Sequence, residues 1–308
     1  MKTRWMGFAA VCAAGSLFSG ISGHGSTRFN TAAQQPAARH NRIVDLLSQN
    51  KVVFGWFSTA RNLESAPEAA ARAAKDGRMD FVFINMEAVR SYHPPLVKTF
   101  LTTMKEAGLK RNPNDRPLML RLPVVHDDPA AARQRIAETL NLGVHALVFP
   151  DMESADEARD ALAAMRFAPN GTRPADVGDA PAYWDLTPAE YTRKADVYPQ
   201  NPNGELASIF IIESEKGVAN SREITQVRPT VAIPGPGTLA RVYKGDAGKV
   251  EAAIQTQLAS CKEFNVPCGI TANPNDVAKR IEQGFRMIII YDRDYEATMT
   301  AGRTAAGR

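Results

Sequence analysis

The sequence predicts an α/β fold, a single (β/α)8 TIM barrel. Eight short runs rich in aliphatic and β-branched residues recur along the chain, and helical stretches with recognisable ends lie between them. The runs are continuously apolar rather than alternating, as parallel strands are when helices cover both faces of their sheet. Strand and helix alternating eight times favours a closed barrel over an open doubly wound sheet, since no Gly-x-Gly-x-x-Gly follows the first run. The 308 residues would suit two ordinary domains, but a barrel fills this length as one.

The eight runs are residues 52–57, 80–85, 118–123, 146–150, 208–213, 230–234, 267–271 and 287–292. Between them, Ser65 with Pro67 in the first turn opens a helix that closes near Gly77. Asp128-Pro129 opens residues 130–142 and Gly143 closes them. Ser154-x-x-Glu157 is a capping box ahead of residues 158–167. Asp246 precedes a long helix through Phe264, and Asn275 precedes one that ends at Gly284. The longest gap, about 168–207, is polar and rich in Pro, Gly and Asn, which predicts a functional loop over the barrel mouth.

Ahead of the barrel, Lys2 and Arg4 precede a mostly apolar stretch over 6–18 and small residues over 19–23. That pattern is an export signal over residues 1–23, followed by a flexible lead-in over 24–40 and the barrel domain over 41–308. The protein is therefore expected to be exported, periplasmic or secreted, with no membrane attachment after cleavage, the apolar stretch being short for a span. Cys261 and Cys268 remain after cleavage, and a disulfide and two free thiols are both open. Without Lys2 and Arg4 the formal charge falls from +4 to +2, and aromatics are 7% of the chain. Neither the cationic footprint nor the stacking surface of a nucleic-acid binder is present.

A barrel of this kind carries its chemistry where the strands end at their carboxyl side. The second run delivers Asn85 and Glu87 with His93 beyond, the third Arg121 with His126 beyond, and the fourth Pro150, Asp151 and Glu153. The fifth delivers Glu213 and Glu215, the sixth Gly235-Pro236-Gly237-Thr238, the seventh Thr271 and Asn273, and the eighth Asp292. Arg121, in an apolar run, needs an anionic partner: a structural pair with Glu87 or Glu213, or a ligand's carboxylate or enolate oxygen. Glu213, after four apolar residues, equally calls for a cation or a metal. Glycoside hydrolysis would need aromatic platforms, for which only Tyr183 and Trp184 in the long gap offer themselves.

The segments Asp80-Phe-Val-Phe-Ile-Asn-Met-Glu87, Arg121-Leu-Pro123, Leu142-Gly-Val-His-Ala-Leu-Val-Phe-Pro150 with Glu153-Ser-Ala-Asp-Glu-Ala158, Ile212-Glu213-Ser-Glu-Lys-Gly-Val-Ala-Asn220 and Gly235-Pro236-x-x-Leu239 follow one another in order. In these the chain resembles the HpcH/HpaI aldolase family of the phosphoenolpyruvate/pyruvate barrel superfamily, from about residue 52 to 292. The resemblance implies a class II, metal-dependent carbon–carbon lyase acting on a 2-oxo acid such as pyruvate through an enolate, and a homo-oligomer with its C-terminal helix packed on a neighbour. It implies a divalent cation (Mg²⁺ or Mn²⁺, with Co²⁺ also compatible) held by Glu213, with Arg121 neutralising the enolate. Gly235 and Pro236, continued by Gly237 and Thr238, would cradle the substrate carboxylate.

Three positions depart from the family pattern. Ala88 stands where the family has its catalytic His, Asn141 where it has the partner Asp, and Thr238 where it has the second metal ligand. His93 or His126 then becomes the candidate base, with solvated loop positions as the alternative for both. A relative that binds a small organic acid without catalysis is the alternative function.

Overall fold

The computed structural model describes residues 39–87, 92–107 and 116–308. The export signal and all but the end of the lead-in lie outside them. In chain order the strands are β1 (Val53–Phe57), β2 (Phe81–Asn85), β3 (Leu118–Arg121), β4 (Ala146–Phe149), β5 (Val197–Tyr198), β6 (Leu206–Ile212), β7 (Val231–Pro234), β8 (Cys268–Ala272) and β9 (Phe285–Tyr291). The helices are α1 (Arg42–Ser48), α2 (Ala66–Lys75), α3 (Pro94–Glu106), α4 (Pro129–Asn141), α5 (Ala155–Met165), α6 (Ala180–Tyr183), α7 (Pro188–Lys194), α8 (Glu215–Ala219), α9 (Ser221–Gln226), α10 (Pro236–Val242), α11 (Ala247–Phe264), α12 (Val277–Gln283) and α13 (Tyr295–Ala305).

All pairings are parallel, and the sheet closes through β1–β9 and β4–β6 into an eight-stranded barrel. These eight strands are the eight apolar runs. The two-residue β5 is an addition, paired with the first residues of β6 ahead of the point where β7 joins. Alternate residues of each strand face two different cores. Inside, Phe81, Phe83, Met119, Val148, Ile209 and Ile289 fill the barrel, and Ile43, Val44, Leu46 and Leu47 of α1 plug its amino-terminal end. Outside, Phe54, Trp56, Leu120, Phe149 and Phe210 pack under the helices.

The helix starts follow local chemistry, with two differences from expectation. The Asp128 carboxylate accepts from the Ala131 amide and the Asp246 carboxylate from Lys249, so both cap as expected. Ser65 adopts helical backbone and instead accepts from the Arg61 and Asn62 amides, bracing the turn before α2. The Ser154 hydroxyl caps α5 through the Glu157 amide, but Glu157 does not complete the box, because its carboxylate accepts from the Glu153 amide and meets His126.

The long gap lies at the opposite end of the barrel from the mouth. It follows α5, and a helix after a strand carries the chain back to the amino-terminal end. There α6, α7 and β5 order it. The Trp184 indole donates to the Gly143 carbonyl at 2.9 Å and stacks on His145 at 4.6 Å, and the Tyr191 hydroxyl donates to Leu140 at 3.2 Å. Trp184 is fully buried and Tyr183 donates to the Leu101 carbonyl, so neither is a platform for a sugar.

Two ties join distant parts of the chain. Cys261, late in α11, and Cys268, opening β8, form a disulfide with Cα atoms 5.8 Å apart. Asp80, completely buried, accepts from the Phe54 amide, from Arg42 Nε at 2.8 Å and from both terminal nitrogens of Arg308. Helix α13 folds back on its own barrel, with Tyr295, Thr298, Met299 and Gly302 buried. Gly302 permits this, since a Cβ there would meet Phe54 at 2.7 Å. Helix α13 thus packs on the barrel of its own chain through this face.

Candidate active site

A cavity of about 190 Å³ opens where the strands end at their carboxyl side. Asn85, Glu87, Arg121, Glu213, Thr238, Arg241, Thr271 and Tyr291 supply its polar lining, with the Gly235-Pro236-Gly237 turn beside them. Parallel register builds the centre: Asn85 pairs with Arg121 across β2–β3, and the Met86 amide donates to the Arg121 carbonyl. Glu87 therefore comes off β2 beside Arg121, its amide held by the Asn85 side chain at 3.0 Å.

Arg121 Nη2 donates to Glu87 Oε1 at 2.7 Å and to Glu213 Oε1 at 2.5 Å. Its side chain is 12% exposed, and Nε is buried with no hydrogen-bond partner among the described residues. Glu213 is 3% exposed where β6 ends. Burial pushes its carboxyl above the usual range, against the opposing pull of the Arg121 charge and the Thr238 hydroxyl. Gly235 is required beside it, because a Cβ there would lie 2.1 Å from Glu213 Oε2. Over Gly237 nothing lies within 4 Å, so the turn faces open cavity.

The structure thus brings together Arg121, Glu213, Gly235, Pro236, Gly237 and Thr238. His93 and His126 do not line the cavity. His93 is exposed ahead of α3, its amide against the Met86 sulfur at 3.5 Å, and His126 is exposed with Nδ1 3.1 Å from Glu157 Oε1. Glu153 is taken up by Ser214 and Lys216, and Asp292 by Arg72 and the Trp56 indole outside the barrel. Asn141 ends α4 at the amino-terminal end, accepting from Arg173 and donating to Asp176. Ala88 lies outside the described residues. Arg241 escaped the sequence reading. Its Nη2 donates to Thr238 Oγ1 at 3.0 Å, one turn earlier on α10, and that i,i+3 spacing was the available signal.

The donor set does not fit the divalent cation that the resemblance implied. No cluster of three or more His, Cys, Asp or Glu side chains that suits a metal occurs among the described residues. The two carboxylates that line the cavity, Glu87 and Glu213, both converge on Arg121 Nη2, and at the place of a second acidic ligand stands Thr238 with the Arg241 guanidinium against it. Hard cations take carboxylate oxygens, and here guanidinium groups hold those positions.

A model of the HpcH/HpaI aldolase/citrate lyase family matches residues 63–290. The hydroxypyruvate/pyruvate aldolase of Delftia acidovorans is 34% identical over 162 residues, covering 50% of this chain and 57% of that protein. The protein of the same name from Paraburkholderia phytofirmans is 27% identical over 261 residues, covering 81% of this chain and 90% of its own. Among solved structures, an HpcH/HpaI aldolase/citrate lyase family protein from Burkholderia cenocepacia superposes with a TM-score of 0.64 at 25% identity, over 84% of this chain and 94% of that one.

Proposed function

The chain belongs to the HpcH/HpaI aldolase/citrate lyase family, and from that premise we propose that it is a carbon–carbon lyase that forms the enolate of a 2-oxo acid such as pyruvate. The carrying observation is Arg121, buried at the cavity floor with Nε unpartnered while two carboxylates hold Nη2. A preorganised guanidinium in a dry site stabilises charge developing on an enolate oxygen. Arg121 binds that oxygen, Glu213 holds Arg121 in place, and the Gly235–Thr238 turn leaves room for the carboxylate. Glu87, its side chain 38% exposed, is the lining carboxylate able to take the C3 proton and return it through solvent. Metal dependence, part of the resemblance, drops out of this mechanism because the donor set does not fit the ion.

A second function, binding of a small organic acid without catalysis, is favoured by the lack of any histidine among the described lining residues. Deuterium exchange into the pyruvate methyl group, followed by NMR on the purified chain, separates the two. Exchange that falls at least about 100-fold in Arg121→Ala and in Glu213→Ala is expected for the lyase, the usual scale for loss of an oxyanion donor. Pyruvate binding with no exchange in the parent protein would leave the binding function standing alone.

Export and self-association belong to the same proposal. The Cys261–Cys268 bridge supports export, since disulfides persist in oxidising compartments, and mass spectrometry of a periplasmic extract should find a chain starting near residue 24. Self-association rests on the resemblance, and sedimentation velocity reads it.

A further inference from the structure

We propose that the cavity grips its 2-oxo acid with two guanidinium groups, Arg121 and Arg241, where a divalent cation would otherwise chelate it, so that binding needs no metal. This rests on the 2-oxo acid function above and sharpens it.

The first ground is that the Glu213 carboxylate already has a guanidinium as its cationic partner. Its Oε1 accepts from Arg121 Nη2, and its Oε2 lies where a Cβ on residue 235 would come within 2.1 Å of it. A cation at Glu213 would have to displace a guanidinium from a nearly dry carboxylate, forfeiting a short charge-assisted hydrogen bond.

The second ground is the charge beside Thr238. Arg241 donates to its hydroxyl, so positive charge stands where a dication would need negative charge. Arg241 has no carboxylate partner among the described residues and lines the same cavity as Arg121. Residues 88–91, outside the described residues, read Ala-Val-Arg-Ser and contain no carboxylate, imidazole or thiol.

The third ground is the spare donor capacity. Arg121 Nε is buried without a partner, and an orphaned buried donor is costly unless a ligand satisfies it. A guanidinium offers a planar fork that matches a carboxylate, and a 2-oxo acid presents a carboxylate and a ketone oxygen side by side. Arg121 takes the ketone oxygen, on which enolate charge develops, and Arg241 takes the carboxylate at the cavity rim.

Oxalate, a stable mimic of the pyruvate enolate, is the probe. Its binding to the full chain is measured by calorimetry in EDTA and again with Mn²⁺, beside electron paramagnetic resonance of Mn²⁺ with protein alone. Expected are oxalate binding in EDTA that Mn²⁺ changes less than about twofold, and a loss of about tenfold in Arg241→Ala, the scale of one charge-assisted contact. Arg241→Lys, which keeps the charge without the fork, should fall between. Thr238→Asp/Arg241→Ala, which restores an acidic ligand, should bind Mn²⁺ more tightly than the parent. Oxalate binding that appears only with Mn²⁺, or parent protein that already binds Mn²⁺ as tightly as the double variant, overturns the two-arginine site while leaving the lyase intact. Failure of oxalate and pyruvate to bind under either condition overturns the 2-oxo acid function and this site with it.

Discussion

A Cβ on Gly235 would lie 2.1 Å from Glu213 Oε2, so Gly235→Ala must move the carboxylate that positions Arg121. Methyl-proton exchange is expected to fall about 100-fold, the effect of misplacing a reacting group by about 1 Å, while circular dichroism stays native; unchanged exchange would mean that Glu213 does not position Arg121. At this scale the sequence was legible where polarity broke a pattern. Arg121 and Glu213 stood out because charge inside an apolar run demands a partner, and the structure makes them each other's. Arg241 drew no notice because a single charged residue on a short, partly exposed helix breaks no pattern, and only its i,i+3 spacing from Thr238 marked it. His93 and His126 drew notice by residue type alone, and type carries no information on which way a loop turns.

The elements between strands were legible by their caps, and illegible where a cap residue had a stronger local offer. Ser65 braces its own turn, and Glu157 serves Glu153 and His126 rather than Ser154. The segment of about 168–207 was misplaced for a topological reason: polarity marks a surface excursion, but which end of the barrel it decorates depends on whether a strand or a helix precedes it. Its anchor yields a test. His145 is fully buried against Trp184, and burial, with His40 adding to it, pulls its pKa down to about 3. A histidine held neutral in the fold stabilises at pH above its unfolded value near 6.5, and that stability is lost as pH falls toward 3. Denaturant unfolding should therefore lose up to about 1.4 kcal/mol per pH unit across this window from His145 alone. His145→Phe, which keeps the stack, should flatten the profile; an unaltered slope would assign the acid sensitivity to other groups.

At the scale of the whole molecule, closure depends on ties between distant positions. The Cys261–Cys268 bridge spans a sequence separation of 7, and a loop so short restricts the unfolded chain by about 2 kcal/mol. Reduction, or Cys261→Ala/Cys268→Ala, should lower the unfolding midpoint accordingly in denaturant titrations, and an unchanged midpoint would show that the bridge adds nothing. Arg308→Ala should cost about 1.5–3 kcal/mol, the worth of hydrogen bonds to a charged partner, with Arg42 left to hold Asp80. The closing strand pair sets an order of events during synthesis. Strand β1 needs β9 on one side, with Val53 opposite Met287, and β8 needs β9 on its other side. Until residues 285–291 leave the ribosome, both strands remain bare edges of an open sheet, and such long-range parallel pairings are slow to form. The nascent chain therefore carries Arg121, Glu213 and Gly235 long before it can complete the wall around them, and chaperones meet it with those edges unpaired.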